Sequence, residues 1–220
     1  MELQESLSPL LSQDPDFCIV LYGSAADDKS YFLSDIDLMC FIADKYFNPE
    51  LVAKVNDKFV TLLEAHQIRL DDEIPRERKL LIPVSFANRA ASNRGFLHIA
   101  SPPLVKIDQS GKRCLNFTDP FSDEILGRLV FNVLTVPHRL IAGSGDALST
   151  LIPLAEQSLV ELMIEMDENI SSSEEFAQKS IGKAPVCGEM FLGYKDDPLV
   201  KNHLMKVWTR HCPSAFQSKV

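Results

Sequence analysis

Residues 17–42 constrain this chain most: FCIVLYGSAADDKSYFLSDIDLMCFI runs from an apolar stretch through a small-residue turn into a second apolar stretch that opens on two acids. Short apolar runs rich in β-branched and aromatic residues, bounded by Gly and Ser, read as strands. Strands are therefore expected over 17–22 and 36–43. Side chains alternate faces along a strand, so Asp35 and Asp37 share one face while Ile36 turns toward the core. Asp37 lies between Ile36 and Leu38 in an otherwise apolar run, where a carboxylate needs a partner or a metal. Magnesium takes hard oxygen ligands, usually one or two carboxylates with phosphate oxygens and water. Gly23-Ser24 directly follows the first strand and Ala25-Ala26 can open a helix there. Backbone N–H groups at such a turn suit a phosphate, because glycine permits close approach. Either half alone has a plain structural explanation, a turn before a strand or a turn after one. Their spacing, about ten residues from Gly23-Ser24 to Ser34-Asp35-Ile36-Asp37, favours a metal-bound triphosphate.

The rest of the chain supplies a frame for that segment. A short amphipathic helix is expected over 2–12, and a longer one from the N-cap Asn48, with Pro49 at its first position, to about His66. Strands are expected over 68–72 and 80–84. Beyond Asp119 the pattern turns helical: from Asp119-Pro120 to an end at Pro137, from Leu148 to Met166 after the break Gly143-Ser-Gly145, from Ser171, and from Asp196-Asp197-Pro198 through Trp208. This order predicts an α/β (α+β) fold, with an α/β half at 1–118 and a helical half at 119–220. With 220 residues, 45% hydrophobic and 24% charged, the chain can bury a real core. The net charge of -9 argues against nucleic acid or an anionic membrane as the main partner. No run approaches the roughly 20 apolar residues of a membrane span, and the N-terminus makes a poor secretion signal. Five scattered cysteines with no CxxC pair point to a reducing cytoplasm, and no cluster has zinc-ligand spacing.

A hydrophobic strand, Gly-Ser, about ten residues and then Asp-hydrophobic-Asp-hydrophobic resembles the signature of the DNA polymerase β-like nucleotidyltransferase superfamily, with the close match over 17–42. Leu70-Asp-Asp-Glu-Ile-Pro, Lys79-Leu-Leu-Ile and Phe191-Leu-Gly-Tyr-Lys resemble stretches of a bacterial branch of small nucleotidyltransferase-domain proteins, a likeness that carries no substrate with it. The superfamily resemblance implies a nucleotidyltransferase-type mixed sheet with flanking helices, two magnesium ions, an NTP such as ATP, and nucleotidyl transfer to a hydroxyl-type acceptor. Gly23 and Ser24 would hold the triphosphate, and Asp35 and Asp37 the metals. Residues 1–118 would be the catalytic domain and 119–220 a helical domain for the acceptor or a partner.

The superfamily usually adds a third carboxylate from a neighbouring strand. Asp71 is favoured as metal ligand and Glu73 follows it, since the two alternate onto one face while Asp72 points away. The competing explanation pairs these acids with Arg76, Arg78 and Lys79 across a solvated loop. Lys79 or Arg78 would otherwise neutralise the triphosphate. Glu161 and Glu165, one helical turn apart, are candidate general bases, although exposed acids on an amphipathic helix are commoner. His98 and His138 read as structural, and Trp208 and the Phe191–Tyr194 aromatics as packing. The acidic balance favours a small-molecule or protein acceptor over a polynucleotide. Two other classes remain open on sequence: a catalytically weak, antitoxin-like nucleotide-binding or partner-regulating module, and a phosphohydrolase, which lacks a recognisable His-Asp pair.

Overall fold

Strand β1 (Cys18–Tyr22) and strand β2 (Asp37–Ile42) form where the apolar runs predict them, and all but Asp37 of their residues are buried. Such burial on both faces demands a layer on each side. The computed structural model describes residues 2–23, 26, 36–68, 76–92, 105–107, 109–110, 113–115, 122–135, 137–166 and 198–211. In it, β3 (Leu81–Pro83) runs parallel to β2, while β1 is antiparallel to both β2 and β6 (Arg139–Gly143). The sheet order is β3-β2-β1-β6, a mixed sheet. A separate hairpin joins β4 (Val105–Ile107) to β5 (Arg113–Leu115).

One face of the sheet is covered by α1 (Glu2–Leu11) and α2 (Pro49–Ala65). Leu7, Leu11, Leu51, Val55, Phe59 and Leu63 from these helices pack on Ile19, Leu21, Leu38, Cys40 and Ile42. Helix α2 starts as its sequence predicts: Pro49 opens it, and the Asn48 side chain accepts a 2.9 Å hydrogen bond from the Leu51 N–H. It ends at Gln67 in a left-handed conformation, φ 56°, with the Ile68 N–H donating back to the Leu63 carbonyl at 2.9 Å. Buried Asp14 ties the β2 exit to the α1–β1 turn, accepting from the N–H groups of Asp16 at 3.0 Å and Ala43 at 2.6 Å.

The opposite face is covered by α4 (Val84–Ser92), α5 (Asp123–Thr135), α6 (Asp146–Met166) and α7 (Pro198–His211), packed on Cys18, Val20, Tyr22, Met39 and Phe41. A short turn of helix, α3 (Arg76–Lys79), precedes β3. The layered α/β arrangement agrees with the mixed α+β class expected from sequence, and no helix among the described residues is long and apolar enough to cross a membrane.

Two expectations change. The strand expected over 80–84 closes at Pro83, and Val84 already begins α4, a helix the apolar pattern did not reveal. Its face is small, with Ala87, Ala90 and Ala91 beside Phe86, and its N-terminus is capped from a distance: Asp44 accepts from both the N–H and the hydroxyl of Ser85. The helix expected from Asp119-Pro120 is described from Asp123, where the Ser122 hydroxyl accepts from the Ile125 N–H at 3.3 Å. The sheet and the core draw on residues from both sides of the boundary expected between 118 and 119. Strand β1 is central and needs a partner on each side, and β6, from the second half, supplies one. A single apolar cluster then joins residues 18–91 to 125–208. At the break before α6, Gly143 has φ +94°, and a Cβ there would lie 1.9 Å from the Phe17 carbonyl oxygen, so only glycine fits. The strand expected at 68–72 and the helix expected from Ser171 fall outside the described residues, apart from Ile68.

Candidate functional site

Antiparallel β1 and β2 bring the end of the first strand beside the start of the second, so Tyr22 pairs directly with Asp37. Parallel β3 starts at that same end, with Leu81 level with Cys40, and places Lys79 there. Antiparallel β6 also starts there, with Arg139 level with Leu21 and His138 just before it. One end of the sheet therefore collects Tyr22, Gly23, Asp37, Lys79 and His138.

Within this group Gly23 lies directly against Asp37. Gly23 adopts φ +69°, and a Cβ built on it would meet the Asp37 Oδ2 at 2.5 Å. Both facts require glycine: the left-handed backbone disfavours any L side chain, and the carboxylate occupies the space a methyl would need. Asp37 alternates with Met39 and Phe41, which face α4–α7, while Ile36 packs with the α1/α2 cluster. Asp37 stays partly accessible where the rest of β2 is buried. A partly accessible carboxylate pressed against a side-chain-free turn fits a hard cation beside an anionic ligand.

Ser24, Asp35, Asp71 and Glu73 lie outside the described residues, as do Asp72, His98 and the Phe191–Tyr194 aromatics. Gly23, Asp37 and Lys79 are thus the sequence-predicted site residues that the structure brings to one place. Among the described residues, no group of three or more His, Cys, Asp or Glu side chains is placed to hold a metal ion. Lys79 is 5% exposed, which is unusual for a lysine and unlike the solvated position that the competing explanation gives it. Arg78 has a structural partner: its Nη2 donates to the Asp123 Oδ1 at 2.9 Å, tying α3 to the first turn of α5. Glu161 accepts a 3.0 Å hydrogen bond from the Gln157 side-chain amide one turn away on α6. Trp208 is buried in the core, as packing predicts.

The helices over the Asp37 face carry polar groups that sequence reading did not single out. Arg128, Asn132 and Thr135 are buried along one stripe of α5, and neither amide atom of Asn132 has a hydrogen-bond partner among the described residues. Glu156 of α6, 2% exposed, accepts from the Arg210 Nη1 and the His211 Nε2 of α7, both at 2.6 Å. His203 of α7 donates from Nε2 to the Thr135 carbonyl at 2.9 Å. Burial pushes the His203 imidazole below its ordinary value, an effect added to by His138 and Arg210 and opposed by the Thr135 carbonyl and Glu156. One signal for Glu156 was present in the sequence. It falls between Ile152, Ala155, Leu159 and Val160 on the buried side of the α6 pattern, where an acid needs a partner. Comparison with known proteins adds no relative: no family model matches the chain, and neither a curated protein nor a solved structure is significantly similar to it.

Proposed function

We propose that the chain is a magnesium-dependent nucleotidyltransferase that moves a nucleotidyl group from an NTP to a hydroxyl on a small molecule or protein, releasing pyrophosphate. The sheet is, in this reading, of the nucleotidyltransferase type, and the protein works in the cytoplasm. The observation that carries the reading is the apposition of Gly23 and Asp37 across paired strand ends, with no room for a side chain on the glycine. It joins the two halves of the sequence signature at a single point.

Each residue has a defined task. The Gly23-Ser24 turn presents backbone N–H groups and a hydroxyl to the triphosphate. Asp37 and Asp35 hold the metal, completed by Asp71 or Glu73 from the stretch before α3. Magnesium, when bound, supplies charge neutralisation at the triphosphate and the departing pyrophosphate. Lys79 is too buried to act as a free surface cation, so its part is a fixed positive charge at the same sheet end. The acceptor oxygen forms a bond to the α-phosphorus, the bond from that phosphorus to the β-phosphate bridge breaks, and pyrophosphate leaves with the electron pair. Positioning and charge complementarity carry most of the rate.

Titration of a non-hydrolysable ATP analogue with and without magnesium tests the binding half, and pyrophosphate release with label transfer tests the chemistry. Magnesium-dependent binding with release supports the transferase. Binding without release or transfer favours a nucleotide-binding module on the same fold, and absence of binding removes the reading altogether.

A further inference from the structure

Helix α7 touches the helical layer through polar contacts at defined atoms, and one of them leaves a basic nitrogen over. A carbonyl can only accept, so the bond from His203 to the Thr135 oxygen fixes the hydrogen on Nε2. Nδ1 then carries the lone pair. Glu156, an acid that acts on the ring, is itself engaged by Arg210 and His211. The charged and titratable groups around the ring are Glu156 on α6, Arg210 on α7 and His138 ahead of β6. His203 is partly buried, and its bond to Thr135 holds the ring in place.

The fold also brings this imidazole toward the sheet end that holds the candidate site, where His138 acts on it. Thr135 ends α5, and the chain enters β6 at Arg139, level with Leu21 and one residue from the Tyr22–Asp37 pair. Strands β6 and β2 are separated only by β1, a lateral distance on the order of 10 Å. Asp37 and His203 both lie on the α4–α7 side of the sheet, since Leu204 and Val207 of α7 share the core of Tyr22 and Met39.

We infer that His203 is the general base of this site, its Nδ1 taking the proton of the acceptor hydroxyl as that oxygen attacks the α-phosphorus. The inference rests on the nucleotidyl-transfer reading. The oxygen–hydrogen bond breaks toward Nδ1, the oxygen–phosphorus bond forms, pyrophosphate leaves, and the imidazolium later releases its proton to solvent. A neutral imidazole at pH 7 is the form this step needs, and burial of the ring favours it. Of the two acids that sequence suggested for this role, Glu161 is held by Gln157 on its own helix, and the Glu165 side chain lies outside what is described.

Nitrogen-15 NMR of the free protein at neutral pH should show His203 protonated on Nε2 and bare on Nδ1. The reverse tautomer, or a charged ring, overturns the inference without any turnover measurement. His203→Gln keeps a donor toward Thr135 and removes the base. With ATP, magnesium, and glycerol or water as the acceptor probe, it should lower pyrophosphate release about 100-fold and erase the acidic limb of the pH–rate profile. Binding of a fluorescent ATP analogue should be unchanged, and added imidazole should restore part of the rate to His203→Ala. A Gln variant with the wild-type rate and pH profile removes His203 alone. A wild-type chain that binds ATP and releases no pyrophosphate removes the transfer reading, and the base with it.

Discussion

The two faces of the sheet are built on different terms. Under α1 and α2 the buried residues are Leu, Val, Ile, Phe, Cys and Ala, and no polar residue of either helix is buried. Under α4–α7 the apolar cluster is larger, yet α5 and α6 bury Arg128, Asn132, Thr135, Glu156 and Ser158. Apolar burial alone is enough to stabilise a layer. Polar groups buried without full satisfaction, as at Asn132, lower stability by on the order of 1–3 kcal/mol each and persist where something else requires them. The fully buried polar residues of the helices lie on the face toward which Asp37 projects, while Ser8 Oγ of α1 and Asn56 Oδ1 of α2 are single buried atoms without a partner among the described residues. In the proposed reading the first face is scaffold and the second carries the chemistry.

Phe59→Ala should separate the two roles most sharply. Phe59 is 3% exposed in the α1/α2 layer, so truncation should cost about 3–5 kcal/mol in a denaturant melt. Activity per folded molecule should stay at the wild-type value. A specific loss of activity in the folded fraction would deny that this face is only scaffold. Glu156→Gln addresses the other face. It removes the charge that gathers Arg210 and the mostly buried His211, and should lower stability by about 2 kcal/mol. Hydrogen exchange should rise most in α7. Uniform exchange changes across both layers would show that Glu156 is not a local clamp.

The scaffold face was the more legible of the two. Asn48 and Pro49 announced α2, and β-branched runs announced β1 and β2, because caps and periodicity are local properties of the chain. Helix α4 was hidden because its face is alanine and its cap, Asp44, lies 41 residues upstream of Ser85. Strand β6 was hidden because most of it is not buried and it lacks the apolar run of its neighbours. At the site, Gly23 and Asp37 were legible from spacing, while their contact depended on strand register. The His203–Thr135 and Glu156–Arg210 contacts join residues 68 and 54 positions apart, and no local pattern encodes such pairs.

Two smaller effects test the site end and the helical layer. Gly23→Ala forces an L residue into φ +69° and a methyl into the Asp37 carboxylate, so stability should fall by about 1–2 kcal/mol. Magnesium-dependent nucleotide binding should fall with it. Unchanged binding would dissociate the turn from the site. His203 should also make stability weakly pH-dependent. Its folded pKa is lowered from 6.5, so the unfolded chain binds the proton more readily. The contribution is complete above 6.5 and is lost as pH falls through the folded value. Melts of the wild-type chain and His203→Gln across mild acid should show that slope in the wild type and a shallower one in the variant. Equal slopes would contradict the buried, neutral ring.

Magnesium-dependent pyrophosphate release from the common ribonucleoside triphosphates, compared between the wild-type chain and Asp37→Asn, tests the central claim most directly. The account predicts release by the wild type and a loss of at least about 100-fold in the variant, with its melting temperature little changed. Equal release by the two chains would contradict it.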